Sequence, residues 1–560
     1  MKVRKSFIFL YQNKELNLSA FHIVQLVFLL HFFHYYSLFI RVSLLINFTY
    51  IFHIQKPLQH DNQNFIPKNG GGNLMFRLSV FVLLLATTGV SIAQNNCGVS
   101  LGIDCYPQNP IQQFKCIDAN QHPNVSYWIQ QGMMQSYANS ATTPQFLIIK
   151  GHLQIPVGSL PSADYNFAPS SEIIFADAAS GIQVLTGASL VINSSYLHGC
   201  NSMWHSLRAG SHASIIAYNS TIEDARYAIW GWADNSIIRA IGNTFKRNYA
   251  SIVFGDQIVN GPVYNYYSDG ICGNTFIGQG QDGFGQPWAP QLLSNPWGFS
   301  APAAGIVIEA PRNTIKIGEE SALMNEFKNF QGAVQNGRIY GILSIDANVD
   351  VVNSRIACNS VPNQSDDRFG IYSQSSTGTH LLTVKGLGSG TPMFENLYWG
   401  IACISNRIEI QDAFFLKNRF CIGEYYGNNS APIALAPTTC KVKNCRFEDY
   451  YDVGVAVVGL QPLMISQLQI TDNEFVDGNI ALISSQSNHG FGDRFAIRIF
   501  SLATAELVNG NISDNVITCN SKHNLDWKHC SNKGLEPCFW QLFYSGYPGW
   551  TVIARSKNYG

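Results

Sequence analysis

Trp230 and Trp232 have the side chains best suited to binding a ligand, because they stand two residues apart in the stretch AIWGWADN. If Ile229 points into a core, alternation along a strand turns both indoles outward together. Two exposed indoles on one face are costly unless they contact something. They would stack on sugar rings, with Asp224 and Arg226 as hydrogen-bond partners. We therefore predict a binding site for a polysaccharide or a cell-surface glycan at these four positions. The alternative is that an inserted or N-terminal loop covers the indoles.

Acidic residues occur in two places where they could act as a general acid and base on a polysaccharide. The stretch SDDR contains Asp366 and Asp367 before Arg368, and elsewhere Glu223 adjoins Asp224. We interpret SDDR as a solvated turn and the second pair as part of a ladder of opposite charges. The sequence therefore predicts no specific catalytic residue. It also lacks a CxxC pair with zinc spacing, and we predict neither a metal site nor a cofactor.

These side chains belong to a repeat that runs down most of the chain. An asparagine is followed, after one or two residues, by a large apolar anchor. The asparagines are Asn193, Asn219, Asn243, Asn274, Asn325, Asn353, Asn444, Asn473 and Asn515. The anchors, two of which lack the asparagine, are Tyr196, Ile222, Phe245, Phe276, Phe327, Ile356, Phe394, Phe415, Phe447, Phe475 and Ile517. A second apolar stripe, often preceded by Gly or Ala, lies seven residues after an anchor at Ile229, Ile252, Ile401 and Ile422.

The repeat predicts coils of short strands that stack into a parallel solenoid. Stacking coils ~4.8 Å apart pairs every backbone group and places equivalent anchors on one another. The asparagine suits a turn that needs a left-handed residue or a side-chain bond to its own backbone. Aligning Ile222 with Phe245 tests this register. It puts Glu223 beside Lys246, and it puts Asp224 beside an arginine, so that opposite charges fall on adjacent strands.

From about residue 145 to its end, the chain resembles the secreted right-handed parallel β-helix proteins of Bacteroidetes, members of the pectate-lyase-like superfamily. The resemblance rests on FAPSSEIIFADAASGIQVLTGASLVINSSYLHGCNSMWHSL and on the repeated N-x-F and G-I patterns. It implies an all-β fold, a right-handed parallel β-helix with inserted loops. Polysaccharide enzymes of this superfamily carry carboxylates, Arg or Lys on one open face, often with calcium.

The start of the chain is predicted to have three parts. Residues 75–93 have the positive start, apolar core and small-residue cleavage site of a signal peptide, which predicts a secreted or cell-surface protein. Residues 1–74 are an upstream extension from a mis-set start codon or an apolar anchor. In the second case the run within 21–54 would hold the protein in a membrane. Residues 94–144 form an N-terminal cap, and 145–560 form the β-helix, which stops at WTVIARSKNYG as if truncated within a coil.

Six of the thirteen cysteines lie in two clusters near the ends of the predicted mature chain. In an exported protein such clusters predict disulfide bonds, whereas the reducing cytosol disfavours them. The clustered residues are Cys97, Cys105 and Cys116 at one end, and Cys519, Cys530 and Cys538 at the other.

The composition narrows the class of partner. Charged residues make up 13% and the net charge is −1. The sequence therefore lacks the excess of positive charge that is typical of proteins that bind nucleic acid. We predict a glycan- or surface-binding adhesion module without catalysis. The alternative is a polysaccharide lyase or glycoside hydrolase of the pectate-lyase-like superfamily, and enzymatic activity is left open. The sequence does not predict an oligomeric state.

Overall fold

A computed structural model describes residues 113–137, 142–158, 164–200, 202–255, 263–278, 304–330, 339–359, 368–386, 390–426, 438–459, 463–477, 495–501, 505–507 and 510–519. These residues form a right-handed parallel β-helix, which confirms the predicted fold class. The predicted extension, signal peptide and apolar run lie outside them. None of the described residues belongs to a helix long and apolar enough to cross a membrane.

Two long parallel sheets, A and B, form two walls of the solenoid. The described strands of sheet A are Lys115–Asp118, Phe146–Lys150, Glu172–Phe175, Tyr196–Gly199, Thr221–Glu223, Thr244–Lys246, Thr275–Ile277, Asn325–Lys328, Ser354–Ala357, Phe394–Glu395, Phe414–Leu416, Arg446–Glu448, Glu474–Asp477 and Val516–Cys519. Those of sheet B are His152–Ile155, Gly181–Val184, Trp204–Ala209, Ala225–Gly231, Ala250–Phe254, Ala304–Glu309, Ile339–Ile345, Arg368–Gln374, Trp399–Ile404, Phe420–Tyr426, Val453–Gly459 and Phe495–Ser501.

Two shorter sheets, C and D, succeed one another along the third wall. Sheet C contains Tyr165–Phe167, Ser189–Asn193, Ser214–Tyr218, Ser236–Ile241 and Tyr266–Cys272. Sheet D contains Ile315–Ile317, Val349–Val352, Leu381–Lys385, Arg407–Gln411, Thr438–Lys443, Leu463–Thr471 and Ala505–Leu507, and Gly510–Ser513 also pairs with the sixth of these strands. The two sheets meet where the backbone N–H of Gly318 donates to the carbonyl of Ile271 at 2.8 Å.

The first part of the described chain lies within the region predicted as a cap. It contains the first strand of sheet A and one helix, Val125–Gln130, whose N-cap Asn124 accepts a hydrogen bond from the backbone of Ser126. Val125 and Trp128 of this helix belong to the buried core cluster that continues through the solenoid. The helix therefore contributes its apolar face to the same interior as the strands.

The predicted anchors form a continuous column inside the solenoid. Phe245, Phe276 and Phe327 pair in register, and their rings stack with centroids 5.1 and 4.4 Å apart. Phe394, Phe415, Phe447 and Phe475 continue the pattern, and every one of these seven rings is fully buried. The predicted second stripe also pairs coil by coil, from Ile229 and Ile252 through Ile401 and Ile422.

One predicted anchor is wrong. The inward residue of its coil is Leu197, which pairs with Ile222, whereas Tyr196 pairs with Thr221 and faces outward. The coil begins NSSYL, and Ser195 rather than the earlier asparagine occupies the buried turn position. A shift of one residue along a strand reverses the side-chain direction, which explains the error.

The asparagines of the repeat have two structural roles. Asn219, Asn353 and Asn444 adopt left-handed backbone conformations, with φ of 48°, 46° and 52°, as predicted for a turn. Asn243 and Asn274 are instead buried and bond to neighbouring coils, not to their own backbone.

In this second role, Asn274 links three coils. Its Oδ1 accepts the backbone N–H of Asn243 at 3.0 Å, and its Nδ2 donates to the carbonyl of Ala240 at 2.7 Å. Its own backbone N–H donates to Oδ1 of Asn325 at 3.1 Å. The ladder satisfies turn groups that would otherwise be buried without partners.

The cysteines fall into two groups. Cys116 is disulfide-bonded, as predicted for the N-terminal cluster, and so is Cys200. Six cysteines of the described chain are reduced thiols, and all are buried: Cys272, Cys358, Cys403, Cys421, Cys440 and Cys445. Burial raises the pKa of the Cys445 thiol to about 12, which leaves it without the thiolate that oxidation requires.

Close packing requires glycine at several positions directly before the second stripe, namely Gly305, Gly341, Gly370, Gly400 and Gly454. A Cβ at Gly305 would lie 2.7 Å from the carbonyl oxygen of Gly341 and 2.7 Å from the ring of Phe327. The same clash with the next coil arises at Gly341, whose Cβ would lie 2.7 Å from the carbonyl oxygen of Gly370. The repeated G-I pattern therefore marks the line along which sheet B passes the aromatic column.

We predict that Gly305→Ala lowers the free energy of unfolding by about 1–3 kcal/mol, the usual cost of overpacking a core. Gly390→Ala is the control, because a Cβ there meets nothing within 4 Å, and we expect it to stay within about 0.5 kcal/mol of the parent protein. Denaturant titration followed by circular dichroism measures both. Equal midpoints for Gly305→Ala and the parent protein would contradict this packing.

Candidate functional site

A groove of about 510 Å³ opens at the corner where the strands of sheet B end and turn toward sheet C. Four successive coils line it, mainly with the residues that follow each sheet B strand, and Gln183 adds its side chain from within a strand. The lining residues are Pro156, Val157, Gln183, Leu185, Thr186, Gly210, Ser211, Trp232 and Ala233. Trp232, one of the predicted binding residues, therefore forms part of a concave and largely apolar surface of the kind that binds small molecules.

Arg208 holds the indole of Trp232 in this groove. Its guanidinium lies 4.3 Å from the centre of the Trp232 ring, a cation–π distance. The backbone N–H of Trp232 donates to the carbonyl of Ala209 at 3.2 Å. Trp232 remains partly exposed, so its ring can contact a ligand while its position is set from behind.

Trp230 faces outward, as alternation predicts, but it is not exposed: only 8% of the residue is accessible. It packs with Tyr227 and Val253 in a cluster on the outer face of sheet B. Its Nε1–H donates to the carbonyl of Gly255 at 2.7 Å. The ring centres of Trp230 and Trp232 are 6.4 Å apart. The two indoles therefore do not form one open platform, and Trp230 lies buried next to Trp232.

The other two predicted binding residues lie away from the groove lining. Asp224 is fully buried, and both its carboxylate oxygens contact Arg247, at 2.7 and 2.8 Å. In this arrangement Asp224 offers no exposed surface to a ligand. The guanidinium of Arg226 lies over the ring of Tyr227, 4.8 Å from its centre.

Asp224 belongs to an ionic cluster on the outer side of sheet A, formed by Glu223, Asp224, Lys246 and Arg247. Lys246 Nζ lies 2.6 Å from Glu223 Oε2, which confirms the charge pairing expected from the aligned repeats. Arg247 also contacts Glu223 at 3.3 Å, and the hydroxyl of Tyr196 donates to the same carboxylate. Two acids are thus matched by two bases in neighbouring coils.

Burial shifts the pKa values of two members of the ionic cluster in opposite directions. Desolvation, together with the charge of Asp224, raises the pKa of Glu223 well above its usual value, and Arg247 opposes this shift. Desolvation and the nearby Arg247 lower the pKa of Lys246 from 10.5 to about 8. Such shifts occur at catalytic sites but also in structural ion pairs. Here Glu223 is 1% exposed and Lys246 retains 21% of its side-chain surface.

The acidic stretch SDDR contributes little to the described surface. Asp366 and Asp367 lie outside the described residues, and Arg368 begins a strand of sheet B with 5% exposure. Among the described residues, no group of three or more His, Cys, Asp or Glu is placed to hold a metal ion.

Reasoning from sequence missed Arg208 and Gln183, which flank the predicted tryptophans. The three residues Gln183, Arg208 and Trp230 form one row across successive strands of sheet B, which we call the outer row. The row could have been found by aligning the second stripe backward from Ile229 to Leu207. The register would then have placed an arginine directly beside the first indole.

Comparisons with protein-family models, with curated proteins and with solved structures found no match to this chain.

We predict that the ionic cluster makes stability depend on pH above neutrality. Between pH 8 and 10.5 the unfolded chain keeps the Lys246 proton while the folded protein has lost it. The unfolded state then binds more protons, so this group makes stability rise with pH across that window. Lys246→Met should lack the rise, measured as the free energy of unfolding of each protein at a series of pH values.

Lys328→Met is the matched control, because Lys328 lies on the same row of sheet A two coils away and has 41% of its side chain exposed. It should retain the rise that Lys246→Met loses. Parallel pH profiles for Lys246→Met and the parent protein would rule out the lowered lysine pKa.

Proposed function

We propose that this protein is a secreted or cell-surface module that binds a polysaccharide or cell-surface glycan in the groove beside Trp232. The partly exposed indole in a concave surface is the observation that carries the proposal. Aromatic rings supply large contact areas at low entropic cost, and hydroxyl and amide groups around them orient the ligand. Val157, 59% exposed on the rim, adds apolar surface that a bound ligand would cover.

Export to an oxidising compartment is the second part of the proposal. The signal-peptide pattern at 75–93 supports it. The disulfide-bonded state of Cys116 and Cys200 supports it independently, because disulfides persist mainly outside the reducing cytosol. The alternative location, a membrane anchor within 21–54, rests on the apolar run alone.

The affiliation with the secreted β-helix proteins of Bacteroidetes and the pectate-lyase-like superfamily is likewise a proposal. The N-x-F and G-I patterns support it, because in this chain they correspond to the aromatic column and to the close approach beside it. A fold of this kind does not by itself establish an activity.

The ionic cluster favours a second candidate function, a polysaccharide lyase or glycoside hydrolase. A partly exposed lysine with a pKa of about 8 beside an acid with a raised pKa is the pattern expected of proton-transfer groups. Two observations favour binding over catalysis. Glu223 and Asp224 are 1% and 0% exposed, and both carboxylates are already paired with cations.

We predict that Trp232→Ala weakens glycan binding about tenfold or more, because truncating an anchoring aromatic residue typically costs over 1 kcal/mol. A glycan array identifies ligands of the parent protein, and calorimetric titration then gives the affinity of each variant. Tyr267→Ala controls for loss of an exposed aromatic residue, since Tyr267 is 47% exposed on sheet C and does not line the groove. Unchanged affinity in Trp232→Ala would remove the groove from consideration.

For the second candidate, we expect no turnover when acidic and neutral polysaccharides are incubated with the parent protein and reducing ends are assayed. The physical reason is that neither carboxylate of the ionic cluster reaches solvent. Turnover that Lys246→Met abolishes and Lys328→Met preserves would instead establish an enzyme at the ionic cluster.

A further inference from the structure

We propose that the groove is selective for uncharged pyranose residues and discriminates against uronic acids. This inference rests on the proposed glycan-binding function and names the chemical class of its ligand. It depends on what lines the groove, on which hydrogen-bonding groups are present there, and on how the neighbouring charges are engaged.

No residue of the groove lining carries an ionisable side chain, within the part of the chain that the structure describes. Pro156, Val157, Leu185 and Trp232 supply apolar surface from three of the four coils. Pyranose rings present C–H groups on one face and can pack on such surface. A carboxylate placed there would lose water without gaining a charged partner, which costs free energy.

The polar groups of the lining are neutral donors and acceptors. They are the amide of Gln183 and the hydroxyls of Thr186 and Ser211. An amide and a hydroxyl can each donate and accept hydrogen bonds, as sugar hydroxyls do. Thr186 is exposed and Gln183 is partly exposed, so both can reach a ligand without repacking the core.

The nearest cations are engaged outside the lining. The guanidinium of Arg208 is held over the Trp232 ring at 4.3 Å, and that of Arg226 over the Tyr227 ring. Arg208 therefore acts as a positioning residue for the indole. Neither arginine belongs to the groove lining, so a carboxylate held against the lining has no cation in direct contact.

The two partly buried histidines near Arg208 add no charge at pH 7. Burial lowers the pKa of both His152 and His205, in the second case to about 4, so both rings are neutral at pH 7. The carboxylate of Asp234 accepts the backbone N–H of Asn265 at 2.8 Å and Nδ2 of Asn235 at 3.0 Å. These donors are neutral and do not cancel the charge of Asp234, which repels a second carboxylate. His212 also borders the lining, with its Nδ1 2.9 Å from the Ser211 hydroxyl.

The test uses pairs of tetrasaccharides that share configuration and linkage and differ only in oxidation at C6. Suitable pairs are glucose with glucuronate, mannose with mannuronate, and galactose with galacturonate. Each is titrated into the parent protein, with tryptophan fluorescence and calorimetry as readouts, at about 0.02 and 0.5 M NaCl. We expect the neutral member of at least one pair to bind about tenfold or more tightly than its acidic partner. Its affinity should not change with salt.

Gln183→Lys places a cation in the groove and is the informative variant. It should reverse the preference within the pair, and the gained binding of the uronate should weaken in high salt. Gln411→Lys makes the same replacement at an exposed position of sheet D far along the chain from the groove. It controls for the added charge and should leave the preference unaltered.

Two outcomes would overturn the inference, and only the second would also contradict the proposed function. If the parent protein binds a uronate as tightly as or more tightly than its neutral partner, and Trp232→Ala abolishes that binding, the ligand class is wrong and the glycan-binding groove stands. If no member of any pair binds and the glycan array is also empty, the proposed function fails and the inference fails with it.

Discussion

Close approach between successive coils is the physical constraint on which the rest of this structure depends. Backbone groups of sheets A and B find their partners only in the neighbouring coils, and the phenylalanine rings stack 4.4–5.1 Å apart along the same axis. At Gly305, where sheet B passes the ring of Phe327, that spacing leaves no room for a Cβ. The buried phenylalanine ring and the glycine beside it are therefore both needed for the coils to approach this closely. Neither would stabilise a coil in isolation.

The same spacing explains why polar side chains can be buried at the turns. Asn274 reaches a carbonyl of the preceding coil and accepts a backbone N–H from it, because coils repeat at the distance that a hydrogen bond spans. A buried amide is costly without partners and favourable when all its groups are paired. Asparagine thus complements phenylalanine: one fixes the turn of each coil and the other fills the interior between turns.

The sequence was sufficient to predict the solenoid because its interior is periodic. Phe245 and Phe276 each end the same Asn-Thr-Phe motif, and the two residues pair in register. The opposite charges of Glu223 and Lys246, which pair across neighbouring coils, agree with this register. Prediction failed where the local motif and the inward position differ by one residue, as at Tyr196 and Leu197. The expected exposure of Trp230 was also wrong, because its burial depends on contacts across the sheet rather than on alternation. Alternation tells which way a side chain points, and only the packing of neighbouring coils tells whether water reaches it.

The ionic cluster and the groove show how the same register produces opposite outcomes on two walls. On sheet A, complementary charges in neighbouring coils meet and neutralise one another, so Glu223 is buried with its partners. On sheet B, the outer row places Arg208 beside aromatic rings, and its guanidinium packs over the Trp232 ring. Because the charges of the ionic cluster are paired and its carboxylates are buried, the surface of sheet A offers no free acid to a ligand. The second wall leaves Trp232 partly exposed in a concave corner formed by four coils. For this reason we propose ligand binding at the groove and a structural role for the ionic cluster.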